Sequence, residues 1–162
     1  MYQIITLAVI ALLTAADQII KIAVEANLAS GGKATLIPHI LSLEYVRNYN
    51  GMFGLFEGKR NWLAVFTVIV IAAAVVLLMM KKIKPLFVSC CAVAIIAGGI
   101  GNLIDRIVRG YVIDYIATDF LKFPTYNFAD CLITVGCFLF MGYEIYEIIR
   151  DMKKSGKEKQ DA

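Results

Sequence analysis

The chain has 162 residues, 60% of them hydrophobic and 18% charged, with a formal net charge of +3. Soluble domains run nearer ~45–50% apolar and ~25% charged, so a water-soluble domain of this length has too little interior for its apolar side chains, and the composition points to lipid. The positive charge sits in lysine clusters without an interleaved aromatic stripe, which sets nucleic acid aside. Cys90, Cys91, Cys131 and Cys137 lie in apolar runs without Cys-x-x-Cys spacing or histidine partners, so neither zinc nor a disulfide framework is suggested.

Crossing a bilayer takes about 20 largely apolar residues in a helix rising about 1.5 Å per residue. The first such run, about 2–20, is broken only by Asp17 near its end. In the loop that follows, Leu41, Leu43 and Tyr45 alternate with Ser42, Glu44 and Val46, the period of a short strand or hairpin. The turn dipeptide Asn50-Gly51 comes next. Two further apolar runs, about 62–80 and 85–104, have lysines only in the turn between them. Tyr111 to Ile116 is a second strand candidate. The last run, about 126–149, carries Asp130 near its start and Glu144 and Glu147 near its finish, and 151–162 is a polar tail. The expected fold class is an α-helical integral membrane protein, a single domain of four transmembrane helices with a partly β outer portion.

Lys81, Lys82 and Lys84 occupy the turn between the second and third runs, and Arg150, Lys153, Lys154, Lys157 and Lys159 follow the fourth. Such bias marks the cytoplasmic side, placing both termini in the cytoplasm and the segments about 21–61 and 105–125 outside. A competing reading makes the first run a cleaved signal peptide, with Thr14-Ala15-Ala16 as a small-residue cleavage site. Against it, no positively charged residue precedes the apolar stretch. Three spans with an outside N-terminus fit the lysine bias as well.

With both termini inside, Asp17 and Lys21 end the first span at the outer boundary, Asn102, Asp105 and Arg106 end the third there, and Asn127 and Asp130 begin the fourth. Asp130 precedes Arg150 by 20 residues, about 30 Å of helix. Each residue alone suits an interfacial position. Short Asp and Asn side chains cannot snorkel as Lys and Arg do, however, so a whole set of them suggests a site. Gly98, Gly99 and Gly101, near the end of the third span, allow a neighbouring helix to approach closely.

His39 is the single histidine, and neither G-x-S-x-G nor H-E-x-x-H occurs. The aspartates remain. Two carboxylates sharing one proton cannot both ionise. One can then take a proton from an attacking water while the other donates to a carbonyl oxygen. Asp130 lies at the start of the fourth span, and Asp105, Asp114 and Asp119 all lie in or beside the outer segment before it. Arg106 beside Asp105 keeps that carboxylate ionised and structural, and Asp119 in its loop reads as solvated. Asp114 stands among Val112, Ile113, Tyr115 and Ile116, on the strand face of Val112 and Ile116, where burial raises a carboxyl pKa as the acid partner requires.

Five separated motifs occur in order: Asp17-Gln18-Ile19-Ile20-Lys21; Asn48-Tyr49-Asn50-Gly51-Met52-Phe53-Gly54; Gly98-Gly99-Ile100-Gly101-Asn102-Leu103-Ile104-Asp105-Arg106; Val112-Ile113-Asp114-Tyr115; and Tyr126-Asn127-Phe128-Ala129-Asp130. With them the chain resembles the lipoprotein signal peptidases (signal peptidase II) over nearly its whole length, apart from the tail after Arg150. The resemblance implies a bacterial inner-membrane aspartyl endopeptidase that removes the signal peptide of prolipoproteins just before a diacylglyceryl-bearing cysteine. It implies Asp114 and Asp130 as the catalytic pair, supported at the substrate site by Asp17, Lys21, Asn50, Gly51, Asn102, Asp105, Arg106, Asn127 and Ala129. It implies no cofactor and no metal. The implied partners are lipidated prolipoprotein signal peptides and membrane lipid, met by a monomer at the outer leaflet surface. Its fold is four helices with an extracytoplasmic β-cradle and a short surface helix. Met52 stands where the family usually has alanine, and Tyr126 where phenylalanine is common.

Two other functions stay open on the residues themselves. A proton-coupled carrier could relay protons through carboxylates in the first and fourth spans, although none lies near the midplane, where carrier sites usually are. A scaffold binding lipid or helices leaves the Asp and Asn set unexplained.

Overall fold

The computed structural model describes residues 1–49 and 60–158, with side chains described at 1–49 and 64–154. In chain order the elements are α1 (Tyr2–Leu28), β1 (Lys33–Ile37), β2 (Leu41–Asn48), α2 (Arg60–Met79), α3 (Leu86–Val108), β3 (Val112–Thr118) and α4 (Phe128–Glu158). Helices α1, α3 and α4 are each long and apolar enough to cross a membrane, and Ala64–Met79 of α2 forms a shorter apolar helix. All 20 residues of α2 rise about 30 Å. The expected class, a helical membrane protein with a small β portion, is what the chain forms. No separate short surface helix occurs among the described residues.

The helices outrun their apolar stretches. Helix α1 continues eight residues past Ile20, because its buried stripe continues through Asp17, Lys21 and Val24 at spacings of three and four and each polar member finds a partner inside. Helix α4 continues through the start of the polar tail to Glu158.

Helix α3 packs against each of the other three helices. Ile10 of α1, Leu78 of α2 and Ile96 and Ala97 of α3 form the core between them. Large apolar side chains on the outer surfaces, such as Ile4, Leu12 and Phe138, are exposed, which is stable where the surrounding solvent is acyl chain. The approach of α4 to α3 depends on glycine. A Cβ on Gly98 would collide with the Ala129 carbonyl oxygen and come within 2.9 Å of Ile133 Cγ1. One on Gly136 would meet the Cys91 carbonyl oxygen at 3.0 Å.

The outer portion is an antiparallel sheet of order β1-β2-β3. Leu43 pairs with Ile116 and Val46 with Asp114, so β2 carries one residue more than β3 over this stretch, a β-bulge. Directly paired residues share a face. The bulge therefore puts Val46 on the face of Leu43, against the expectation from simple alternation, and it aligns Asn48 with Val112 on the Asp114 side. Beyond β3, the Ile116 and Tyr126 backbones exchange hydrogen bonds of 2.7 and 3.1 Å, which fixes the start of α4 against the strand holding Asp114.

Gly98→Ala is expected to destabilise the protein by about 1–3 kcal/mol through overpacking. Gly142, whose added Cβ would meet nothing within 4 Å, should tolerate alanine and gain up to about 1 kcal/mol of helix propensity. Thermal unfolding of the two purified variants checks this; equal melting temperatures would remove the close-approach argument.

Candidate active site

Lys21 lies fully buried in α1. Its ammonium is 2.9 Å from Asp17 Oδ2, one helical turn earlier, and 2.9 Å from Asp105 Oδ2 on α3. It also donates to Asn102 Oδ1 at 2.9 Å. An ammonium has three protons, and each meets one acceptor. Both carboxylates are likewise sealed from solvent, an arrangement that holds only when every lone pair and proton is matched. Gly101 makes room, since a Cβ there would come within 2.5 Å of Asp17 Oδ2.

The two carboxylates pass the constraint outward. Asp17 Oδ1 accepts the backbone N–H of Ala129 in α4 at 3.1 Å. Asp105 Oδ2 accepts the backbone N–H of Ile113 in β3 at 3.1 Å, and its Oδ1 accepts Arg109 Nη1 at 2.6 Å. Four elements thus converge on one buried cation.

Helix α4 begins beside this cluster, and its first N–H groups have no intrahelical partner. Side chains supply one to each. Phe128 N donates to Tyr115 Oη at 3.1 Å, Ala129 N to Asp17 Oδ1, and Asp130 N to Asn127 Oδ1 at 2.9 Å. Asp130 Oδ2 in turn accepts the Asn127 backbone N–H at 3.2 Å. Asn127 and Asp130 therefore form a reciprocal capping box with aspartate in the third helical position. Asp130 Oδ1 takes its hydrogen bond from Asn102 Nδ2 at 2.8 Å.

Asp114 is held by amides from both sides. Asn127 Nδ2 donates to its Oδ1 at 2.6 Å and Asn48 Nδ2 to its Oδ2 at 2.8 Å. One side chain, Asn127, thus contacts both Asp114 and Asp130. Burial pushes the Asp114 carboxyl up from its ordinary 3.8 to about 6; the Asn48 and Asn127 hydrogen bonds pull it down, and the nearby Asp130 charge pushes it up. The buried set runs without a break from Val112 through Tyr115, because both faces of β3 are covered. Face alternation therefore does not single Asp114 out; its amide partners and its neighbour do.

Of the site residues expected from sequence, Asp17, Lys21, Asn102, Asp105, Asp114, Asn127, Ala129 and Asp130 come together in this hydrogen-bonded group. Arg106 lies at its edge, donating to the Asn102 carbonyl at 3.2 Å. Asn50 and Gly51 lie outside the described residues. Two environments differ from expectation. The cations on Asp105 are Lys21 and Arg109 rather than Arg106. Asp119 is not simply solvated: it accepts from Lys33 Nζ at 2.9 Å and Ser42 Oγ at 3.0 Å, and these hydrogen bonds hold its carboxyl below the usual range. Sequence reasoning left Asn48, Gln18, Arg109 and Tyr115 without roles. The i, i+4 spacing of Asp105 and Arg109 was a usable signal; Tyr115 had none.

A groove of about 400 Å³ passes Asp130, lined by Leu121, Phe123 and Tyr126 on one side and Cys131, Thr134 and Val135 of α4 on the other. Carboxylates fixed by amides at one end of an apolar helical bundle, beside an open groove, define a helical membrane protein with a buried polar site. Residues 9–146 match the family described as Signal peptidase (SPase) II, and the chain belongs to that family, a family of membrane peptidases. It is 36% identical over 148 residues to the lipoprotein signal peptidase of Enterococcus faecalis, covering 91% of this chain and 89% of that one. Over 136 residues it is 36% identical to the one from Lactococcus lactis subsp. lactis, covering 84% and 90%. Two solved structures described as bacterial membrane enzymes superpose with TM-scores of 0.77 and 0.75 at 27% and 28% identity, covering 92% and 84% of this chain and 90% and 89% of theirs.

Replacing Lys21 by methionine leaves Asp17 and Asp105 buried without their cation. The expected cost is about 3–5 kcal/mol, measured by denaturant unfolding. Adding Asp17→Asn and Asp105→Asn to Lys21→Met should recover part of it; no loss in the single variant would contradict the hub.

Proposed function

We propose that this chain removes the signal peptide of diacylglyceryl-modified prolipoproteins, cutting just before the lipidated cysteine, with Asp114 and Asp130 acting as an aspartyl dyad. Family membership supports the substrate class. The observation that carries the mechanism is the bridge through Asn127, whose side-chain amide donates to the Asp114 carboxylate and whose backbone N–H donates to the Asp130 carboxylate. A water between the carboxylates loses a proton to Asp130 as its oxygen bonds to the scissile carbonyl carbon. Asp114, whose raised pKa favours keeping a proton, donates it to the carbonyl oxygen. Collapse of the tetrahedral diol returns a proton to Asp114, breaks the C–N bond, and moves the proton held by Asp130 to the departing amine. Fixed amide donors around both carboxylates are the preorganisation such a step requires.

The remaining site residues serve this pair. Asp17, Lys21 and Asp105 anchor it, Asn102 and Asn127 orient it, and Ala129 allows α4 to approach α3. Arg106, Asn50 and Gly51 meet the substrate. The groove beside Asp130 receives apolar substrate adjoining the cut. Lysine bias supports both termini in the cytoplasm and a site at the outer leaflet of the bacterial inner membrane, in a single four-span domain acting as a monomer. A carrier is disfavoured, because the buried carboxylates cluster at one end of the bundle.

Asp114→Asn and Asp130→Asn should each lower turnover of a lipidated peptide on the order of 10⁴-fold while the protein still inserts and binds that peptide. Asp105→Asn should act through stability, and Asp119→Asn should leave turnover unchanged. Cleavage should persist in excess chelator, since Asp17 and Asp105 are already committed to ammonium, guanidinium and amide partners. Substantial turnover by Asp114→Asn would move the acid role to another carboxylate.

A further inference from the structure

At the aspartate end of the bundle, α1 and α3 are tied closely. Thr14 Oγ1 donates to the Ala97 carbonyl at 3.2 Å and Gln18 Nε2 to that of Gly101 at 3.0 Å. Toward the opposite end the two helices part around a cavity of about 280 Å³. Tyr2, Thr6 and Val9 line it from α1, and Leu86, Cys90 and Val93 from α3. Those positions recur at three or four residues on each helix, so each helix turns one continuous stripe to the cleft. An apolar cavity of this kind excludes water, and in a bilayer the available filler is an acyl chain, which regains the dispersion contacts that the lining otherwise lacks.

A second cavity, of about 300 Å³, adjoins the first through the shared residues Tyr2, Leu86 and Ser89 and is bounded by Lys81 and Lys84. Lys81 occupies the left-handed position that ends α2, at φ 55°. Its N–H bonds to the Leu78 carbonyl and that of Lys82 to the Leu77 carbonyl, the pattern in which glycine is usual. The Lys81 ammonium lies 5.9 Å from the Tyr2 ring centroid, at the junction of the cavities. Among the described residues neither Lys81 nor Lys84 makes an ion pair. Orientation in the membrane accounts for lysines at this boundary, but it does not require them to open onto an apolar cleft.

We infer that this continuous cleft binds an anionic phospholipid, one acyl chain between α1 and α3 and the phosphate at Lys81 and Lys84. Such a lipid would hold together the helix ends that direct packing leaves apart. The site lies at the far end of the bundle from the aspartates and stands independently of the proposed chemistry.

The test is retention of lipid by the full-length protein in detergent, read by native mass spectrometry after mixing with equal amounts of dioleoyl phosphatidylglycerol and dioleoyl phosphatidylcholine. The expected result is preferential retention of phosphatidylglycerol, on the order of 30-fold for two lysines near the headgroup. The preference should disappear in Lys81→Gln/Lys84→Gln, a surface change that leaves the core intact. Ala94 of α3 also lines the cleft, and Ala94→Phe, which fills it, should reduce retention of both lipids. Equal retention of the two lipids by the parent protein overturns the inference, as does an undiminished preference in the lysine variant. Displacement of phosphatidylglycerol by excess inorganic phosphate also overturns it, by showing an anion site on the lysines without the cleft.

Discussion

An ammonium sealed inside a helical bundle must find an acceptor for each of its protons, and the side chains that satisfy Lys21 are the ones that locate everything else. Moving an isolated charge into such an interior costs several kcal/mol even after relaxation, so Asp17, Asp105 and Asn102 cannot drift from it. Each of the three has a second task. Asp17 holds the Ala129 N–H, Asp105 the Ile113 N–H, and Asn102 donates to Asp130. Ile113 is adjacent to Asp114 in β3. The positions of the Asp114 and Asp130 carboxylates therefore trace back to one lysine, through hydrogen bonds contributed by α1, α3, β3 and α4.

The second constraint is the start of α4. A helix beginning at the membrane boundary carries amide protons that water does not fully serve. Tyr115, Asp17 and Asn127 accept them. The cap is chemically economical, because the residue that completes it, Asp130, is also the carboxylate presented to the groove. In the proposed mechanism, stability and reactivity share the same atoms. Loosening the cap would move Asp130 relative to Asp114, and preorganised sites are sensitive to such shifts.

Much of this was legible in the residues. Long apolar runs located the helices, and the clustering of short polar side chains at one boundary picked out Asp17, Lys21, Asn102, Asp105, Asn127 and Asp130. The bulge in β2 was not legible, because Glu44 and Tyr45 carry no glycine or proline to mark it; its effect is to bring Asn48 onto the Asp114 side. The partners of Asp105 were not legible either, because Arg106, its neighbour in sequence, donates to the Asn102 carbonyl, while Arg109, one turn on, lies beside Asp105. Asp119 looked solvated because its partners Lys33 and Ser42 come from strands far away in the chain. The capping box was present in Asn127-Phe128-Ala129-Asp130 but reads as such only once the helix is known to start at Phe128.

The central claim is that Asp114 and Asp130 behave as one electrostatically coupled pair. Its most direct test is the ¹³C titration of the Asp114 carboxyl, assigned by its loss in Asp114→Asn. The expected midpoint in the parent protein is about 6, against an ordinary 3.8. The folded state then binds this proton more tightly than the unfolded chain, so the contribution of Asp114 to stability declines as pH rises from 3.8 to about 6. In Asp130→Asn, where the neighbouring negative charge is gone, the Asp114 midpoint should fall. A midpoint near 3.8 in the parent, or one that does not move when Asp130 becomes asparagine, would contradict the pairing.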